Sequence, residues 1–337
     1  MRQVIVAFLV MNAVVATAGD SPLPKSRVAL AHDPLSVNLF QADPSRVAVM
    51  LEKSMCALTG ESTSAAAWRK FVQPTDVVGI KIATTGGPLL STHSALIDAV
   101  VAQLRQAGVP ADQIIVWDRF ARDMTQAGVP LRNEAGSVRY LATTPDTGSD
   151  ESIFYQSGFV AKPHWGDFDF GRMEVSDRSY LSNIVTKRVT KIINIPTATD
   201  HRDAGIAGCL FNLAIGSADN TRRFAASPWF YDPAVAEISA MDTLRDKAVL
   251  HILDALVPQF AGGPSAQPRF CWHAGAIYVS TDPVAIDTLI LAEIESRRAQ
   301  HGFPKIGDRA RHIASGAELE LGINKRELIE VVSPIKH

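Results

Sequence analysis

Asp76-Val-Val-Gly-Ile-Lys-Ile-Ala83 and Gln113-Ile-Ile-Val-Trp117 are the two runs whose reading decides the fold. Each is a short, almost continuous apolar stretch, the pattern of a strand buried on both faces of a sheet. Between them lie a polar turn, Thr84-Thr85-Gly86-Gly87-Pro88, and then a helical spacing of Ala95, Leu96, Val100, Val101 and Leu104. Thr92 stands where a helix cap is expected and Gly108 where the helix should stop. Strand, helix, strand over this length requires parallel pairing through a right-handed crossover.

The same grammar continues outward. Upstream, Asp43-Pro44 opens a helix through Val47, Met50, Leu51, Met55 and Leu58 that ends at Gly60. Downstream, Lys191-Ile-Ile-Asn-Ile195 is a strand ended by Pro196, followed by a small-residue helix over about 204–215. Ala248–Leu253 and Gly275–Val279 are strand-like, and Asp282-Pro283 starts a further helix. Between 122 and 188 the periodicity is poor, which predicts an irregular insertion of short strands or loops covering one end of the sheet. The expected class is therefore α/β: a largely parallel sheet flanked by helices, in one domain over 19–337.

The 33 Lys+Arg balance 35 Asp+Glu, so there is no basic stripe for a nucleic-acid partner. Residues 1–18 read as a cleavable signal peptide: Arg2, an apolar run from Val4 to Val15, and Ala16-Thr17-Ala18 as a small-x-small cleavage site. The run is shorter than the ~20 residues of a membrane span. The expectation is a periplasmic or secreted protein with no stable membrane insertion after cleavage. Three cysteines, Cys56, Cys209 and Cys271, are too few for a four-cysteine iron–sulfur cluster.

In open parallel sheets, ligands bind outside the carboxyl ends of the strands. Just past these strands come Thr84, Thr85, Gly86, Gly87 and His93; then Asp118 and Arg119; then Thr197, Thr199, Asp200, His201 and Asp203; then Asp254; and last Ser280, Thr281 and Asp282. The Thr84–Gly87 loop is either an anion site built from backbone N–H groups or an ordinary turn. His93 is either a neutral metal ligand at a helix start or a local cap. Cys271 and His273, two apart, face one side of an extended segment. With Cys209 they form a soft zinc or copper site, or else the two cysteines pair or pack. Asp287 follows apolar neighbours into a helix, and a buried carboxylate needs a partner.

Three groups of residues carry a resemblance. They are Val78-Gly79-Ile80-Lys81 with Thr92-His93 and Val116-Trp117-Asp118; Ile192–Pro196 with His201, Gly205–Gly208, Phe211-Asn212-Leu213 and Gly216; and Ser280–Asp287. Together they resemble the domain-of-unknown-function 362 family (DUF362) over about 78–289. The resemblance implies an α/β fold and recurring polar positions at Lys81, His93, Asp118, His201, Asn212, Asp282 and Asp287. Thr199 and Phe211 stand where the family carries lysines, and the ferredoxin-like cysteine segment of many relatives is missing.

The resulting expectation is a metal-dependent enzyme of unknown reaction. His93 and His201 would hold a single zinc, copper or iron ion, Asp118 or Asp203 would complete its shell or act as general base, and Lys81 would share in the catalysis. One alternative is a non-catalytic protein holding a small anionic ligand through Thr84–Gly87, Lys81 and Arg222 or Arg223, and Asn212, Asp282 and Asp287 are further candidates for ligand contact. Another is a redox or metal-handling partner using Cys209, Cys271 and His273.

Overall fold

The computed structural model describes residues 25–158 and 176–335. The 1–18 segment lies outside the described residues, as does 159–175 of the expected insertion. One ten-stranded sheet organises the rest. Its strands are β1 (Ser26–His32), β2 (Val78–Ile82), β3 (Ile114–Phe120), β4 (Arg139–Thr144), β5 (Lys191–Ile195), β6 (Thr197–His201), β7 (Gly205–Ile206), β8 (Ala248–Gln259), β9 (Ala276–Ser280) and β10 (Ile329–Val332). The order is β10-β1-β9-β8-β5-β2-β3-β4, with β6 beside β8 and β7 beside β6. From β8 to β4 every pairing is parallel. β9 is antiparallel to both of its neighbours, β8 and β1.

Helices cover both faces, so the fold is the expected largely parallel α/β sheet. On one face lie α1 (Pro44–Thr59) and α2 (Ser94–Gln106). On the other lie α3 (Cys209–Ile215), α4 (Pro228–Ala240) and α5 (Pro283–Gln300). The strands alternate between the two cores, as a period of two demands. Val116, Ile193 and Leu250 pack under α1 and α2, whereas Trp117, Ile192 and Leu253 pack under the other helices. The end signals of α1 behave as read: Asp43 accepts from the Arg46 N–H, and Gly60 closes the helix in the left-handed region at φ 77°.

Several expectations are corrected. Arg139–Thr144 inside the supposed irregular insertion is a strand of the main sheet, paired in parallel with β3. Ser149–Gln156 and Arg178–Ser182 form a separate antiparallel pair. These are short strands of the kind expected there, and Ser179 and Ser182, buried although polar, break the apolar alternation on which strand reading depends. The helix read over 204–215 begins only at Cys209, because Thr197–His201 and Gly205–Ile206 pair as short strands before it. Ala248–Leu253 continues to Gln259, so Asp254 lies within a strand rather than past its end. Thr92 is not the cap of α2; His93 occupies that position, without a side-chain cap bond.

Candidate functional site

The order and pitch of the strands set one row of residues side by side across the sheet. Trp117 opposes Lys81, Lys81 opposes Asn194, and Asn194 opposes His251. Their side chains alternate with the apolar residues that face α1 and α2, so all point towards α3. Lys81 is fully buried. Its Nζ donates to the Ile82 carbonyl (2.6 Å), to Asp118 Oδ1 (2.7 Å) and to Asn212 Oδ1 (3.0 Å). An ammonium has three protons, and all three are engaged. Burial pulls the Lys81 pKa down, and the Asp118 charge works against that pull.

The network runs on from there. Asn212 Nδ2 donates to Asn194 Oδ1 (2.8 Å), and Asn194 Nδ2 donates to the Cys209 carbonyl (2.9 Å) and to His251 Nδ1 (3.1 Å). His251 therefore keeps its proton on Nε2, and burial pushes its pKa down to about 3. Asp118 is equally saturated. Oδ1 accepts from Lys81 and the Arg119 N–H, and Oδ2 accepts from the N–H and the hydroxyl of Thr84. A carboxylate has about four lone-pair sites, so Asp118 is an anchor for Lys81 more than an open base. Gly216 is required here, because a Cβ at that position would overlap Lys81 Nζ and the Asn212 carbonyl.

Above this floor, at the carboxyl ends of β2, β3 and β6, lies a cavity of about 340 Å³. Thr85 and Gly86 of the first loop, Asp118, Arg119, Arg122, Asp123, Thr197, Thr199, His201, Phe211, Asn212, Arg222 and Tyr231 are among its walls. His201 Nδ1 accepts from the backbone N–H groups of Asp203 (3.2 Å) and Ala204 (3.0 Å), which leaves the ring proton on Nε2. Burial holds its pKa down to about 4, with Asp203 opposing and Arg202 assisting that shift. The ring is therefore neutral at ordinary pH and offers a donor.

The other expected site residues fall elsewhere. The His93 ring bonds through Nδ1 to Asp254 Oδ2 (2.9 Å), and its backbone N–H reaches the same oxygen (2.8 Å). Burial opposes a charge on His93, yet the Asp254 charge and hydrogen bond win and raise its pKa. Asp203 lies against Arg202 outside the cavity wall. The Thr84 N–H is taken by Asp118 and the Gly87 N–H by the Thr84 carbonyl, so the first loop reaches the cavity through Thr85 and Gly86. Asp282 sits at the opposite edge because β9 runs antiparallel; it caps α5 through the Ala285 N–H (2.8 Å). Asp287 is buried beneath α3 and accepts from the N–H groups of Cys209 (2.6 Å) and Leu210 (3.0 Å).

All three cysteines are free, so Cys209 and Cys271 do not pair. Cys209 is buried at the start of α3; the Cys271 thiol leans on Gln259 and the Gln267 carbonyl, and His273 packs against Phe40. Among the described residues, no three His, Cys, Asp or Glu side chains converge as metal ligands would. His251, in the polar row, and Arg122 and Tyr231, in the cavity wall, carry no signal in the sequence that marks them as site residues. His251 looks like one more strand residue, and the helix that carries Tyr231 has a Ser227-Pro228 start signal but nothing local that turns Tyr231 towards the cavity.

The family model described as a domain of unknown function, DUF362, matches residues 78–292. No curated protein matches the chain. A crystal structure of a protein from Thermotoga maritima, a structural-genomics target, is similar at 10% identity with a TM-score of 0.41. The match covers 79% of this chain and 61% of that one, so this chain spans about three fifths of that protein's length.

Proposed function

Since the chain belongs to the DUF362 family, whose description assigns no reaction, we propose from its own geometry that it binds a small oxyanion, a carboxylate or a phosphate, in the cavity over β2, β3 and β6. One observation carries this reading: the cavity wall is rich in donors and cations. Three arginines, Arg119, Arg122 and Arg222, stand against two aspartates. Asp118 is neutralised from behind by Lys81, and Asp123 faces Arg122. The neutral His201 ring adds an N–H, and Asn212 offers its second amide proton. Guanidinium groups bind carboxylate and phosphate in matched planar geometry.

Calorimetric titration with sodium acetate and with inorganic phosphate tests it. At least one anion should bind, more weakly as salt rises. Arg222→Gln should weaken binding about tenfold to a hundredfold, the equivalent of the roughly 1.5–3 kcal/mol of a hydrogen bond to a charged group. No heat from acetate, phosphate, benzoate, cyclohexanecarboxylate or phenyl phosphate would sink the reading.

A metal-dependent reaction is the second reading, favoured by the His93–Asp254 pair. A carboxylate bonded to one ring nitrogen is the arrangement that orients metal-ligating histidines. The same titration run with zinc, copper(II) and iron(II) decides it. Binding lost in His93→Ala would support it, and no binding would remove it.

A further inference from the structure

We infer that the oxyanion this cavity takes carries a single aromatic ring: an aromatic carboxylate or an aromatic phosphate ester. This inference rests on the oxyanion reading and narrows it. One wall of the cavity is built of three rings in mutual contact. His201 and Phe211 have centroids 4.8 Å apart, His201 and Tyr231 5.4 Å, and Phe211 and Tyr231 5.8 Å. All three line the cavity. Phe211 is only half-buried, so the cluster keeps an apolar face that the other described residues do not fully cover. Phe120 stands on the Asp118–Arg119 side, where the Arg119 guanidinium lies over its ring at 4.7 Å from the centroid. The cavity thus has an aromatic wall and a cationic wall.

Chemistry and size then limit the occupant. His201 is held neutral, so its ring presents a π face rather than a charge. Burial likewise keeps the Tyr231 phenol protonated. Ring-on-ring contact is worth about 0.5–1.5 kcal/mol beyond the area it buries, which an aliphatic chain does not gain. Ligand cavities run from roughly 300 to 1,000 Å³, and 340 Å³ is at the small end. It has room for one ring with its anionic head between the two walls.

The probes are benzoate, cyclohexanecarboxylate and acetate on one arm, and phenyl phosphate and inorganic phosphate on the other. All are titrated calorimetrically into the whole protein and into Phe211→Leu, which keeps apolar volume but loses the ring. We expect benzoate or phenyl phosphate to bind at least tenfold tighter than its ring-free counterpart, benzoate to exceed cyclohexanecarboxylate, and Phe211→Leu to erase the gain. The tighter arm identifies the head group. Equal binding with and without the ring, or of the saturated and aromatic rings, overturns this inference and leaves the oxyanion reading standing. Binding of none of the probes overturns both. Should Phe211→Leu fail to fold, the wild-type comparison decides alone.

Discussion

Lys81, a candidate for proton chemistry in the sequence, is held in the structure by three protein acceptors. It is the one charge in an otherwise apolar buried strand, and lysines with depressed pKa values are familiar at reaction centres. Here its three protons are taken by Ile82, Asp118 and Asn212, and it does not reach the cavity wall. Removing one partner of a buried ion pair leaves an uncompensated charge, at about 3–5 kcal/mol. Lys81→Met should therefore lose stability of that order in a urea melt, and adding Asp118→Asn should recover part of it. A Lys81→Met protein as stable as wild type would show that the pair contributes nothing to folding.

Helix α3 is the element on which the site depends, and its support comes from a remote residue. It has seven residues, and its start, Gly208, has no side chain to cap it. Asp287 of α5 does the capping instead, and a Cβ on Gly208 would overlap its carboxylate. Thus a residue far along the chain sets the position of Phe211 and Asn212. Burial raises the Asp287 pKa to about 7, against the pull of the Cys209 and Leu210 N–H groups. The folded state then holds a proton that the unfolded state releases near 3.8. Stability from this group falls as pH rises from about 4 to 7 and is level above that. Asp287→Asn should remove that part of the slope. Urea melts at several pH values check it, and identical slopes in the two proteins would exclude the role.

His93 acts on the same element scale with the same sign. Its pKa is raised by Asp254, so the contribution of this pair is complete below about 6.5. It is lost as pH rises through the raised value.

At the scale of the whole molecule, the two ends of the described chain close the sheet. β1 lies between β9 and β10, and Val28, Ala29 and Ala31 are completely buried. A chain beginning at Gly19 keeps this strand; one beginning at Asp33 loses it and leaves the edge of β9 unpaired. We expect the first to melt cooperatively at the temperature of the full chain and the second to show no cooperative transition by circular dichroism. A folded protein starting at Asp33 would contradict the role given to β1. The proposed export predicts that protein recovered from a periplasmic or extracellular fraction begins at Gly19, and a start at Met1 there would exclude cleavage.

Much of this was legible in order along the chain. The apolar runs of β2, β3 and β5, the Asp43-Pro44 and Asp282-Pro283 helix starts and the αL stop at Gly60 are local, because period and capping are set by neighbours a few residues apart. So was the carboxyl edge that gathers Thr85, Asp118 and His201. Tertiary structure alone decided the rest, for reasons of direction and register. The antiparallel course of β9 sends Asp282 to the far edge. The pairing of Lys81 with Asn194 and of Asn194 with His251 makes one polar row from three distant strands. The crossing of α3 and α4 adds Phe211 and Tyr231 to His201. Strand direction, register and helix crossing depend on contacts between residues far apart in sequence, and no local pattern encodes them.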